Sequence, residues 1–170
     1  MDSHPCLKLF VKISQERMCS HYLPKFVQSL QALDADAIWR KEAENLNSVG
    51  GIALHICEHV RRISAKISDR DHPGFDEGIE DNFPDLSLSP EELIRTVEKT
   101  FDEFRSVTEK FMENMPDEID MHSLYHLVEH TGYHLGQIVD RAKRMTKKSF
   151  NFCQNGINER NLKERINARL

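Results

Sequence analysis

Residues 89–111 read SPEELIRTVEKTFDEFRSVTEKF. Three start signals agree there: a serine cap at Ser89, proline at the first helical position, and glutamate three residues after the serine. Leu93, Val97, Phe101, Phe104, Val107 and Phe111 then follow at helical spacing and line one face. The segment is therefore an amphipathic helix that must bury a stripe, and Met115-Pro116 ends it. One such helix needs partners, and the rest of the chain supplies them.

Downstream, a helix is predicted from Asp120–Ser123 to about Lys147, with Leu124, Leu127, Val128, Leu135, Ile138 and Ala142 as its stripe. Upstream, Asn47 or Ser48 caps a helix running to about Ser68, with Ile52, Ile56, Val60, Ile63 and Ile67 on one face. Gly50 and Gly51 in its first turn lower helix propensity, so a neighbouring backbone is expected to come close. The first helical segment spans about His4 to Leu33, carrying Leu7, Phe10, Val11, Met18, Tyr22, Phe26, Leu30 and Leu33. Pro24 should kink it or divide it in two. Asp34–Leu46, with the one tryptophan, Trp39, reads as a connector. The acidic stretch Asp69–Leu88 reads as a long loop with turns at His72-Pro73-Gly74 and Phe83-Pro84-Asp85. Four long amphipathic helices bury their stripes against one another, which predicts an all-α antiparallel bundle over residues 1–150. In the remaining tail, 151–170, Ile157, Leu162 and Ile166 can form a short amphipathic helix, docked on the bundle or on a second subunit.

Composition agrees. Gly and Pro number 7 and 6 in 170 residues, too few for a turn-rich sandwich or barrel. The net charge is −5, and the basic cluster Arg141, Arg144, Lys147, Lys148 suits a helix C-terminus, so no nucleic-acid partner is expected. No apolar run is long enough to predict a membrane partner. The start, MDSHPCLKLF, has no basic and apolar leader pattern, so a cytoplasmic protein is expected. Cys6, Cys19, Cys57 and Cys153 form no CxxC pair and read as free thiols.

Histidine is the unusual residue, with 9 in the chain. His122, His126, His130 and His134 recur every four residues, a ladder that drifts about 40° around the helix per step. His134 lies about 80° and His130 about 120° from the stripe centre, nearer the interior than the other two. An i, i+4 histidine pair can hold one metal ion. On the 48–68 helix, His59 lies about 60° and His55 about 100° from the stripe centre. Either can join His130 and His134 to give three neutral ligands and an open position, the pattern of a catalytic metal site. The plainer reading of each is a half-buried polar residue with one hydrogen bond, and periodicity alone leaves both open.

Four stretches carry a resemblance. They are Tyr22-Leu23-Pro24-Lys25-Phe26, Ile38-Trp39-Arg40, Asn47-Ser48-Val49-Gly50-Gly51 leading to Leu54-His55-Ile56, and Val128-Glu129-His130-Thr131-Gly132-Tyr133-His134-Leu135-Gly136-Gln137-Ile138. Over about residues 5–150 the chain resembles the DinB-like superfamily of four-helix-bundle metalloproteins, in its uncharacterised bacterial branch near the YfiT type. The resemblance implies a homodimeric bundle with zinc or nickel on His55, His130 and His134, and so sets His55 above His59. It also implies pocket positions at His59 and His126. It implies an enzyme that activates a low-molecular-weight thiol of the bacillithiol or mycothiol type for attack on an electrophile. A hydrolase using metal-bound water and a non-enzymatic ligand-binding module remain alternatives.

The residues around these ligands are read separately. Gln137 lies on the His130 side of its helix and either reaches the site from further along or makes a surface or interhelical hydrogen bond. Trp39 and Phe75 either line a pocket mouth or, for Trp39, cap the bundle end. Glu58 and Glu129 cannot be assigned as bases, and Glu58 faces solvent. Cys57 is a packing residue, and Tyr125 and Tyr133 face outwards.

Overall fold

The computed structural model describes residues 5–70, 81–116 and 120–168. The expected all-helical class holds among them. Helix α1 spans Pro5–Glu16, α2 Leu23–Gln31, α3 Ala35–Trp39, α4 Val49–Ile67, α5 Pro90–Glu113, α6 Met121–Thr146 and α7 Glu159–Asn167.

A second α-helix starts at Leu23 with Pro24 in its first turn, as one of the two expected arrangements has it. Between α1 and α2, Arg17–Tyr22 widens into a π-helical stretch, and the Leu23 N–H donates to the Met18 carbonyl, five residues back. A π-bulge shifts the backbone register just ahead of the residue that lacks an N–H, so the rod continues. Two further elements refine the reading. The connector contains α3, whose cap Asp34 accepts from the Ala37 N–H at 2.8 Å. The tail contains α7, which docks on α1 and on the π-helical stretch, where Arg17 forks onto Glu159, with Leu162 and Ile157 buried. Phe75 and the His72-Pro73-Gly74 turn lie outside the described residues.

The helix starts follow their sequence signals. Ser48 accepts from the Gly51 N–H at 3.0 Å. Ser89 and Glu92 form the reciprocal capping box, with Pro90 following the cap. Asp120 accepts from the Ser123 N–H at 2.9 Å. Ser89→Ala is expected to lower stability by about 1 kcal/mol in urea denaturation without changing metal binding; an unchanged midpoint would show that Pro90 alone fixes this start.

Four rods share one core. The α1–α2 rod packs on α5 and α6, and α4 packs on the same two. Phe26 meets Phe101 edge-on at 6.2 Å, and Leu30, Ile52, Ile56, Phe104, Leu127 and Ile138 fill the space around them. Gln15 on α1 donates to Thr108 Oγ1 on α5 at 2.8 Å, a buried polar link between rods. Lys66 at the end of α4 pairs with Asp120 at the start of α6, while Arg141 near the end of α6 donates to the Asn47 carbonyl ahead of α4. These contacts set α4 and α6 antiparallel, which brings the middle of α4 against the middle of α6. His55, His59, His130 and His134 lie there. No helix among the described residues is long and apolar enough to cross a membrane.

Candidate metal centre

The first turn of α4 creates the setting. A Cβ on Gly51 would lie 3.3 Å from both Cβ and the carbonyl oxygen of Phe83. The glycine therefore admits the chain that precedes α5, and this is the close backbone approach the sequence signalled. One turn further on, the Phe83 ring stacks on His55 at 4.3 Å and 26°. The carbonyl of Asn82 sits 3.1 Å from His55 Nδ1. Sequence reasoning missed both residues, treating Phe83 only as part of a turn. Gly51 signalled that something came close, but not which segment.

His55 faces α6. Its Nε2 lies 3.1 Å from His130 Nε2, and its ring centroid is 4.9 Å from that of His134. One nitrogen from each of His55, His130 and His134 falls in a group whose atoms all lie within 4.8 Å of one another. All three side chains are buried.

The donor set fits a divalent ion. A carbonyl has only lone pairs to offer, so His55 Nδ1 carries the proton that donates to Asn82, and Nε2 presents a lone pair. His134 is oriented likewise: its Nδ1 lies 3.0 Å from Gln137 Oε1 and donates to it, leaving Nε2 towards the trio. Anchoring the far nitrogen in this way fixes tautomer and ring direction at metal sites. Two nitrogens on one tetrahedral ion at about 2.0–2.1 Å stand about 3.3–3.4 Å apart, close to the His55–His130 separation. Burial, reinforced by the neighbouring imidazoles, pushes His130 down to about 3. It is therefore a neutral imidazole near pH 7, the ligand form. A coordinating imidazole is uncharged, so an ion held by three of them would keep its full charge.

The remaining candidates are placed as follows. His59 is buried and packs on His130 at 3.9 Å and on His55 at 4.6 Å, beside the trio rather than in it. Burial and the adjacent rings push it down to about 4. His126 is exposed, 5.6 Å from His130. Trp39 caps the start of α4: its Nε1 donates to the Leu88 carbonyl at 2.8 Å, and its ring covers Gly50. Glu58 pairs with Arg62 at 3.5 Å, and exposed Glu129 borders a groove with Tyr22 and Lys25 on another face of α6. Cys57 is fully buried and its thiol is pushed up to about 11, so it packs rather than attacks. All four cysteines are free, as expected. Tyr125 and Tyr133 face outwards, 57% and 66% exposed.

The cluster links folding to pH. His59 and His130 bind protons less readily when folded than the ordinary histidine at 6.5. Their contribution is complete above about pH 6.5 and is lost as pH falls towards their folded values. For metal-free protein, urea midpoints at pH 7.5 and 5.5 are expected to differ by about 1 kcal/mol for each histidine. Equal midpoints would show that these rings accept protons in the folded state.

No protein-family model matches the chain, and no curated protein or solved structure matches it. What the described residues show by themselves is a three-histidine group that could hold a metal ion.

Proposed function

We propose that this chain is a divalent-metal protein of the DinB-like type, an antiparallel four-helix bundle holding zinc or nickel on His55, His130 and His134. We propose further that it is a thiol S-transferase, joining a low-molecular-weight thiol to an electrophile. The observation that carries the reading is the convergence of three buried imidazoles from two rods, two of them anchored through their far nitrogens.

A divalent ion bound there would supply Lewis acidity that lowers the pKa of a coordinated thiol towards neutrality. The chain's own residues set the conditions. Asn82 and Gln137 hold the His55 and His134 rings in the ligating tautomer. Phe83 covers one face of His55 and keeps water from it. An uncharged donor set favours recruitment of an anion, and a thiolate is the soft anion that suits zinc. The hydrolytic alternative has less support among the described residues, because Glu58 is tied to arginines and Glu129 lies on another face.

The test is turnover. Metal-loaded protein is mixed with bacillithiol, mycothiol, cysteine or coenzyme A and a generic alkylating electrophile. The expected result is thiol-dependent loss of the electrophile that a chelator abolishes and added zinc or nickel restores. Cleavage of activated esters with no thiol requirement would move the assignment to a hydrolase. Tight metal binding with neither turnover would make it a binding module.

A further inference from the structure

The trio leaves His122 and His126 without a role. They continue the four-residue spacing of His130 and His134 outwards along α6. Both are exposed, whereas His130 and His134 are 9% and 8% exposed. Ring centroids step inwards along the helix: 6.4 Å from His122 to His126, 5.6 Å from His126 to His130, and 4.5 Å from His130 to His134. From His130 the row reaches His55 at 5.0 Å. Imidazoles thus run in unbroken succession from the surface to the buried trio.

The outer pair has the features of a chelate. Its rings lie one turn apart and nearly parallel, at 17°. Neither makes a hydrogen bond among the described residues, so each keeps a nitrogen lone pair. Being exposed, both can turn to share an ion, as i, i+4 histidines do. Local structure gives no other reason for them: histidine is a modest helix former, and exposed rings add little packing.

We propose that His122 and His126 form a surface dihistidine that captures divalent transition-metal ions and passes them inwards through His130 to the trio. This rests on the metal reading of the trio. The step is ligand exchange. The bond to His122 breaks as one to His130 forms with His126 still attached; the bond to His126 then breaks as His134 and His55 bind. No electron is transferred, and each ligand leaves as another arrives. The direction follows from the donors. Two ligands hold an ion less tightly than three, and the positive end of the α6 dipole opposes a cation near His122.

Cobalt(II) is a suitable probe, because a low-coordinate ion in the trio gives intense visible bands. At about micromolar cobalt, His122→Ala is expected to develop those bands about tenfold more slowly than wild type, yet with the same final affinity. At about millimolar cobalt the rates should converge, since bulk ion then matches what the surface pair concentrates locally. In equilibrium dialysis at saturating cobalt, wild type should bind a second, weaker cobalt that His122→Ala lacks. Position 122 is exposed, and alanine there favours the helix. Equal loading rates at micromolar cobalt in wild type and His122→Ala would overturn the proposal while leaving the trio intact. A wild-type chain that never develops the bands would overturn the trio reading and this inference together.

Discussion

Excess zinc is expected to raise the melting temperature of the wild-type chain by about 10 °C and to leave His134→Ala unmoved. Free metal at about a thousandfold over its dissociation constant stabilises the folded state by about 4 kcal/mol, which a domain of this size shows as a shift of that order. His134 is the informative position because its ring is held from behind by Gln137 and is 8% exposed. Truncating it removes a ligand without opening the core around Phe26 and Phe101, so far-ultraviolet circular dichroism should stay helical. Gln137→Ala should fall between the two, losing about 10–100-fold in affinity as His134 loses its anchor. A zinc-dependent shift that persists in His134→Ala would place the ion elsewhere.

Gly50→Ala is the other large effect expected, a loss of about 2–3 kcal/mol in urea denaturation. The added Cβ would fall 2.5 Å from Trp39 Cζ3 and 2.7 Å from both Cε3 and Cη2. The indole is rigid, and its Nε1 is tied to the Leu88 carbonyl, so relief requires the ring to leave its seat and give up that bond. Gly136→Ala is the matching control. Its Cβ would meet nothing within 4 Å, and alanine exceeds glycine in helix propensity by about 1 kcal/mol, so stability should rise. If the two variants behaved alike, the close seat of Trp39 on α4 would be wrong.

Much of this was legible from residue patterns. Ser89, Pro90 and Glu92 specify a helix start through interactions within four residues, so no tertiary knowledge was needed. The stripes of α4 and α5 likewise became core over Ile52, Ile56 and Val60 and over Leu93, Val97, Phe101 and Phe104, with the last residues of each only partly buried. The site was harder. Arc arithmetic favoured His59, yet the group within 4.8 Å holds His55. The reason is that α4 is buried on several sides, with Leu54, His55, Ile56 and Cys57 all buried in succession. A stripe centre computed from the large aliphatics says little about which neighbour a given side meets. His55 was expected only from the resemblance, not from the arc. Asn82 and Phe83 were invisible for a related reason. Their approach to His55 depends on the path of the chain ahead of α5, and only the glycine that accommodates it left a local mark. The π-helical stretch before Pro24 also escaped notice, since the same apolar spacing fits a kinked rod and a bulged one.

X-ray absorption at the metal edge, with one equivalent of zinc added, reads the ligand shell itself. Three imidazole nitrogens are expected at about 2.0–2.1 Å, with a further position filled by a light atom or by added thiol sulfur. Zinc without imidazole scattering, or a shell of sulfur ligands in the absence of added thiol, would contradict it.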